Sequence, residues 1–417
     1  MSGFRHITFS YKAALIFFFA GVVTLLTPSL CYAQFSDDAV KVSVSEQKVQ
    51  GGILKKFTFA EANKSNLVYE LDVRSSGVKD DYPYSGMAVY LGMVPAVKVM
   101  KNGRVRIIKF KDGETVISDG NWTGYKGRFK AVLARSETGT ISLTPDVMTI
   151  TWPAGVTADL KILTANPDSS IAPEVDGVVD IRTLQYVHLP RWMRVLCRLV
   201  EGLYKTIQSV TGLGWGVSLL LFAIVIKLML LPVAMLTTRF QNQANSHKTA
   251  LEPIFDNIKN NFKGEIAHNK VMAAYKARGI TPYYSLKPLL AAMISLPVLI
   301  AIFNMLGEVE PLRISGGLWV NSFAYPDAIA ASPAPIPLFG QSLNVLPFLM
   351  AGVTFLSAYK LQSTTASPRE LKKQQRNLYL MGVVFFIIFY PFPSAMVLYW
   401  TLSTVLQFII TTFRKSA

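Results

Sequence analysis

The sequence predicts a polytopic α-helical membrane protein with an N-terminal all-β, sandwich-like domain on the exported side. Three observations predict it. Beyond the N-terminus, long apolar runs lie only in the second half of the chain. Short β-branched runs punctuated by turn signals fill residues 34–164. Basic residues are unevenly shared: 34–186 carry 19 Lys/Arg against 18 Asp/Glu, and 187–417 carry 21 against 8. A positive-inside bias produces that distribution. It places the net charge of +16 in the membrane half and removes the case for direct nucleic-acid binding.

The N-terminus reads as an export signal. Arg5 and Lys12 precede an apolar stretch from Ala13 to Leu26, and a small-residue site, Cys31-Tyr-Ala33, precedes Gln34. Cleavage after Ala33 and retention as an anchor are both compatible with it. With residues 1–33 removed, Cys197 is the one cysteine left, so the exported domain relies on its core alone.

Residues 34–164 are expected to be β-rich. Runs at Ile53–Phe59, Leu67–Arg74, Met87–Leu91, Arg104–Phe110, Phe129–Leu133, Thr140–Leu143, Val147–Trp152 and Leu160–Leu163 alternate or are β-branched. Turn signals such as Lys101-Asn-Gly103 and Lys111-Asp-Gly113 separate them, a spacing that suggests a sandwich. Residues 165–189, rich in Pro, Ser and Asn at their start, read as a linker. An amphipathic helix follows at 190–209, with Trp192, Val195, Leu196, Leu199, Leu203 and Ile207 on one face. Arg191, Arg194, Arg198 and Lys205 fall mostly on the other. It reads as an interfacial helix on the membrane, or as a surface helix packed on the soluble domain.

Residues 210–417 hold the membrane part, with spans at about 215–236, 288–306, 343–361, 377–391 and 393–413. The loop 237–287 has eight Lys/Arg against three acids, 360–376 has five against one, and 307–342 has one against three. That alternation predicts five spans, an exported N-terminal domain and a cytoplasmic C-terminus. Helical patterning over 239–279, interrupted near Lys263-Gly264, predicts a cytoplasmic helical hairpin. Lys248, Lys259, Lys263, Lys270, Lys276 and Arg278 form its basic surface. The fourth span, Asn377 to Pro391, is expected to reach only ~22 Å against ~30 Å of hydrocarbon.

Lys227 is the feature that demands a function. It lies in the apolar run Gly216 to Leu236 with about ten apolar residues on either side. A charge there costs about 2.5–3.5 kcal/mol on insertion scales. Its helical neighbours Leu220, Ala223, Ile224, Leu230, Leu231 and Ala234 offer no partner. It either faces a watery cavity or another helix, or snorkels to the interface.

Enzymatic readings find no footing. The chain has no phosphate-binding Gly-x-x-x-x-Gly-Lys-Ser/Thr loop and no His-Glu-x-x-His motif, and His6, His188, His247 and His268 are scattered. The membrane part offers no intramembrane acid or His from which to build a Ser/His/Asp set. We expect no enzyme, cofactor or metal. A small transporter or channel with Lys227 as an anion site would show paired half-helices or an internal repeat, and neither is visible.

The stretch Phe392-Pro-Ser-Ala-Met-Val-Leu-Tyr-Trp-Thr-Leu-Ser403 resembles the last-helix signature of the YidC/Oxa family of membrane-protein insertases. Trp215-Gly-Val-Ser218 through Lys227 to Pro232 resembles that family's first core helix, in which an Arg occupies the position of Lys227. The order of span, basic hairpin, two spans and a Pro-joined helical pair agrees, over residues 190–413. Gly120-Asn-Trp-Thr-Gly124 resembles, more weakly, a motif of the β-sandwich-like periplasmic domain in Gram-negative members. The chain departs from the family in Lys227 itself, in Ala223 where a hydroxyl residue is usual, and in a longer Pro288-to-Pro297 interval. The exported domain is also much smaller than is usual in Gram-negative relatives.

The resemblance implies a five-helix insertase core in the bacterial inner membrane, with a hydrophilic groove open to cytoplasm and lipid. Lys227 would draw in the acidic tail of a substrate. Ser218, Ser295, Asn304, Thr354, Tyr399, Ser403 and Gln407 are the candidate groove groups, each equally able to serve as a helix–helix hydrogen bond worth about 0.6 kcal/mol. Implied partners are nascent membrane proteins and the lipid bilayer. A Sec translocon, the ribosome and signal-recognition machinery remain open, as does a specialised assembly-factor paralogue.

Overall fold

The computed structural model describes residues 33–35, 42–80, 82, 94–167, 181–279, 283, 287–361 and 366–413, less a few positions inside these ranges. The signal segment up to Tyr32, the run Met87–Leu91, linker residues 168–180 and the tail Arg414-Lys415 lie outside them. The chain divides into two compact units. One holds the strands up to Ala165, and the other holds Asp80, Tyr82 and the described residues from Asn166 onward.

The first unit is built from twelve strands among the described residues: β1 (Ala33–Phe35), β2 (Val42–Val49), β3 (Gly52–Phe59), β4 (Leu67–Asp72), β5 (Ala96–Val99), β6 (Val105–Ile107), β7 (Thr115–Ile117), β8 (Trp122–Lys126), β9 (Ala131–Arg135), β10 (Thr140–Leu143), β11 (Val147–Trp152) and β12 (Asp159–Ala165). They form two antiparallel sheets, in the orders β1-β4-β11-β10-β7 and β2-β3-β12-β9-β8-β5-β6. Alternation builds the core. β4 buries Leu67, Tyr69 and Leu71, and β11 buries Met148, Ile150 and Trp152. These meet Tyr125, Val132, Ala134, Leu160 and Ile162 of the other sheet in one cluster, so the sheets pack face to face. β2 escaped the sequence reading because it is an exposed edge strand with little apolar alternation. β8, which carries most of the Gly120–Gly124 motif, is buried at every residue. A Cβ on Gly124 would lie 2.1 Å from the Val132 carbonyl oxygen, so the close approach of β9 requires glycine there.

Asp159 ties this sandwich together at one turn. Its carboxylate accepts bonds from the hydroxyls of Ser136 and Thr138 (2.9 and 2.6 Å) and from the N–H groups of Glu137 and Thr138. Ser136 Oγ in turn accepts from the buried Trp152 indole at 3.1 Å. Burial pushes the Asp159 carboxyl up, but the hydrogen bonds from Thr138, Glu137 and Ser136 outweigh it and hold the pKa below its ordinary value. A depressed folded pKa contributes stability above the unfolded value of about 4, and that contribution is lost as pH falls through the folded value. Asp159→Asn is therefore expected to flatten the pH dependence of unfolding below about pH 4. Asp159→Ala is expected to cost about 1–2 kcal/mol at neutral pH, because the freed N–H groups of the exposed turn reach water. Urea unfolding followed by tryptophan fluorescence checks both, and identical acid limbs in wild type and Asp159→Asn would exclude the role.

The second unit is helical: α1 (Arg191–Thr211), α2 (Trp215–Met229), α3 (Leu231–Asn261), α4 (Gly264–Ala277), α5 (Lys287–Met293), α6 (Leu296–Glu308), α7 (Pro311–Ile314), α8 (Leu346–Tyr359), α9 (Pro368–Phe389) and α10 (Ser394–Phe413). A small hairpin, β13 (Ala330–Ile336) with β14 (Gly340–Leu343), precedes α8. Among the described residues no single helix is long and apolar enough to cross a membrane. The pair α2 and α3 passes that test together, bent by 53°.

Proline explains where the predicted spans break. Pro232 has no N–H for the Leu228 carbonyl, so the run 215–236 becomes two helices meeting at Leu230. Pro297 does the same to 288–306, which splits into α5 and α6 around Ile294-Ser295. The expected short fourth helix is corrected: Asn377–Pro391 is only the apolar end of α9, which has 22 residues. Ser367 caps it by accepting from the Glu370 N–H at 3.3 Å, with Pro368 beginning the first turn, a start signal that the hydropathy pattern hides. Two of the apolar helices, α6 and α8, have only 13 and 14 residues, about 20 Å each.

α1 also turns a different face inward. Met193, Cys197, Val200, Glu201 and Tyr204 are buried, whereas Trp192, Val195 and Leu199 of the predicted apolar face are exposed. Leu196, Leu203 and Ile207 pack at the edge of the core.

Candidate functional site

The site is organised by one end of the helical unit. Gly216, at the start of α2, has no room for a side chain: a Cβ would lie 2.5 Å from the Phe323 ring. The first N–H groups of α10 donate to the same segment, Ser394 to Tyr325 O at 2.8 Å and Ala395 to Phe323 O at 3.0 Å. α8 starts there too, because the Asp327 carboxylate accepts from the N–H groups of Val345 and Leu346 at 2.8 and 2.9 Å. Trp319 Nε1 donates to the same oxygen at 3.0 Å. α6 arrives from the opposite direction, since Leu312, just past its C-terminus, accepts from Ala324 N–H. Tyr82 adds to this end by donating to Pro391 O at 2.5 Å and stacking on Tyr325. α2, α8 and α10 therefore run away from Phe323, and α6 runs toward it.

Ring contacts fix the levels. Phe222 of α2 lies 6.1 Å from Tyr399 of α10, and Phe303 of α6 lies 6.4 Å from Tyr399 and 6.1 Å from Trp400. The apolar core fills the Phe323 end. It reaches Ile226 on α2, Tyr399 on α10 and, coming the other way, Ala301 on α6. Beyond those residues burial falls away: none of 227–230, 296–300 or 402–410 is buried.

Lys227 sits at that boundary. The inward stripe of α2 is Ser218, Leu219, Phe222, Ala223 and Ile226, and Lys227 follows Ala223 by one turn on the same face. It is half-buried, and among the described residues it has no hydrogen bond or ion pair. It lies about 7.5 Å past the Phe222–Tyr399 pair, level with Ser403 and Thr404 of α10, and Gln407 is one turn further on.

The other predicted groove groups are distributed differently. Ser218 is fully buried near Phe323, its hydroxyl 3.4 Å from Leu213 O. Tyr399 belongs to the packed ring cluster. Thr354 donates to Met350 O at 2.9 Å and turns its methyl toward α9, where a Cβ on Gly382 would lie 3.3 Å from it. Ser295 stands at the N-terminal end of α6, about 12 Å from Phe303 and past the level of Lys227. Lys227, Ser403 and Gln407 are thus the predicted groups that the helix directions bring to one zone.

Asn304 enters a polar node instead. Its Nδ2 donates to Ile300 O at 2.7 Å, so its Oδ1 is the acceptor facing His188 Nε2 at 2.8 Å, and that ring nitrogen donates. The other ring nitrogen faces Glu308 at 3.7 Å, and Glu308 also accepts from Tyr186 N–H. Tyr186 Oη donates to Glu201, whose other oxygen meets Lys205 at 2.6 Å. Burial, reinforced by Glu201 and Glu308, pushes the Tyr186 phenol well up, so it remains a donor. Two buried acids and a histidine thus fasten α1 to α6. Residue counting missed them: Glu308 lies just beyond a predicted span, and Glu201 lies inside the predicted amphipathic helix without belonging to either of its named faces. Its place on the 193/197/200/204 stripe was the available signal. Among the described residues no group of three or more His, Cys, Asp or Glu could hold a metal.

The hairpin residues fall into two sets. Lys248 approaches Glu370 at 3.9 Å, and Lys270 lies over the Phe262 ring at 4.3 Å. Lys259, Lys263, Lys276 and Arg278 are exposed. A shallow, open groove of about 450 Å³ between α3 and α4 is lined by Pro253, Ile254, Ile258, Phe262, Lys270 and Ala274, among others.

A helical unit of this order, with a cation beside a packed cap, fits the helical core of a class of membrane proteins. Residues 206–417 match the 60Kd inner membrane protein family, the YidC/Oxa family, and the chain belongs to it. It is similar to proteins named "Membrane protein insertase YidC" from Chlamydia trachomatis serovar D (31% identical over 219 residues, 51% of this chain and 27% of the relative). It is also similar to those of Leptospira interrogans serovar Lai (32% over 210 residues, 49% and 31%) and Chloroherpeton thalassium (31% over 192 residues, 46% and 31%). The matched stretch thus spans less than a third of the length of each of these relatives.

Proposed function

We propose that this chain is a membrane-protein insertase of the bacterial inner membrane. α2 with the start of α3, the pair α5 and α6, α8, α9 and α10 supply its five crossings. The Phe323 end faces the periplasm together with the β domain of residues 34–164, and the hairpin and C-terminus face the cytoplasm. Residues 1–33 direct export. The basic loops at 237–287 and 360–376 and the acidic one at 307–342 support that orientation.

One observation carries the reading: the packed core ends at Ile226, Tyr399 and Ala301, and the inward stripe of α2 then continues as Lys227, which has no hydrogen bond or ion pair among the described residues. A bundle sealed at one end and loosely packed around a cation at the other suits a groove closed to the periplasm and open to the cytoplasm. A polar, acidic substrate tail enters it, attracted by Lys227, with Ser403 and Gln407 offering hydrogen bonds alongside. The substrate's apolar segment partitions into lipid. α8, of 14 residues and about 21 Å against ~30 Å of hydrocarbon, favours local thinning at the point of passage. No bond is made or broken, so partitioning, charge attraction and the membrane potential acting on the substrate supply the work.

The test is complementation of an insertase-depleted bacterial strain with the full chain. Insertion of a single-span substrate with an acidic tail is expected, read by protease protection of that tail. An intact, membrane-localised chain that leaves the tail accessible on the cytoplasmic side would refute the reading.

A further inference from the structure

The first arm of the hairpin is not simply solvated. Asn245, Thr249, Glu252 and Asp256 recur at intervals of four, three and four residues, so they share one face of α3. That face lies on the first turns of α9. Gln374 Nε2 donates to Asn245 Oδ1 at 3.0 Å, and Gln241 Nε2 donates to the same oxygen at 2.9 Å. The Ser367 N–H donates to Thr249 Oγ1 at 3.0 Å. Arg369 Nη1 reaches both Asp256 oxygens at 3.1 Å and lies 3.9 Å from Glu252. The two ends of the seam, Asn245 with Gln374 and Asp256 with Arg369, pair in opposite order along the two helices, so they run antiparallel there.

We propose that this seam is a positioning element of the hairpin, linking α3 to α9 through side chains in addition to the packing of α3 on α5, and that Asn245 is the residue on which it depends. Burial ranks its parts. Asn245 is 2% exposed and its oxygen accepts from two half-buried amides, so removing it takes a water-shielded acceptor from both at once. The side chains of Arg369 and Asp256 are 70% and 46% exposed, and an ion pair so open to water adds little. The seam also occupies the hairpin acids Glu252 and Asp256 against Arg369, so that exposed Lys259, Lys263, Lys270, Lys276 and Arg278 outnumber the exposed Glu265. Its role in insertion rests on the reading above; the contact itself does not.

The test joins Lys248→Cys to Glu370→Cys with a short bis-maleimide in native membranes, using the full chain with Cys31→Ser. Cys197 does not compete, being fully buried with its thiol pushed up to about 12 by burial. Efficient cross-linking is expected in this parent. Asn245→Ala or Gln374→Ala is expected to lower the yield at least fivefold, and Arg369→Ala less than twofold. Replacing Gln241, Asn245 and Gln374 together by leucine is expected to restore it to within twofold, because an apolar contact then replaces the amide node. That rescue separates loss of positioning from loss of folding. No cross-link in the parent, an unchanged yield in both alanine variants, or a larger loss from Arg369→Ala than from Asn245→Ala overturns the proposal. Insertion measured in the same membranes keeps the readings apart: failed insertion with intact cross-linking counts against the insertase, not the seam.

Discussion

Lys227→Ala is expected to lower insertion of a substrate with an acidic tail about tenfold. Two unit charges about 4 Å apart attract by about 4 kcal/mol at an effective dielectric of 20. Desolvation removes much of that, and a net of about 1.4 kcal/mol corresponds to a factor of ten. The charge matters in this account, not the shape of the group carrying it, so Lys227→Arg is expected to match the parent within twofold. Lys227→Glu is expected to be worse than alanine, because it repels the acidic tail. The same substrate with its tail carboxylates replaced by amides is expected to respond less than twofold to any of these changes. Initial insertion rates in membranes, normalised to the amount of chain present, provide the measurement. An alanine variant indistinguishable from the parent on the acidic substrate removes Lys227 from the mechanism.

Asp327→Ala is expected to destabilise the helical unit by about 3–5 kcal/mol. One carboxylate oxygen accepts from the Val345 and Leu346 N–H groups and from Trp319 Nε1, and Asp327 is 3% exposed. Hydrogen bonds to a charged group contribute about 1.5–3 kcal/mol each, and the Leu346 N–H left behind is buried away from water. The negative charge also lies at the N-terminus of α8, where the helix dipole favours it. Asp327→Asn keeps an acceptor and loses the charge, so about half of that loss is expected. Denaturant unfolding of the purified protein in detergent measures both, and an alanine variant within about 1 kcal/mol of the parent would rule out this anchoring role.

Other features of the fold show where sequence patterns stop. β4 and β11 were legible because each buries every second residue against a single core. β8 was not, because both of its faces are covered and periodicity disappears. The apolar runs located the helices, but hydropathy alone missed the breaks at Leu230 and Ile294-Ser295, which come from the missing N–H groups of Pro232 and Pro297. In α9 hydropathy misled in the other direction: a capped helix of 22 residues looks short when only its apolar end is counted.

The sequence by itself determined the division into a β-rich part and a helical part, the charge partition between loops, and the isolation of Lys227 on its own helix. It also carried the family resemblance, in residues 215–232 and 392–403. These are local properties, set by hydropathy, turn chemistry and helical spacing. Tertiary structure alone decided which polar groups accompany Lys227. In the sequence Asn304, Thr354, Ser403 and Gln407 look alike, each a polar residue in an apolar run. In the fold Asn304 binds His188, and Thr354 packs on α9, while Ser403 and Gln407 lie in the zone of Lys227. The physical reason is direction. Helices anchored at Phe323 run parallel or antiparallel according to which end is held, and that sets the level of every side chain about 1.5 Å per residue away from the anchor.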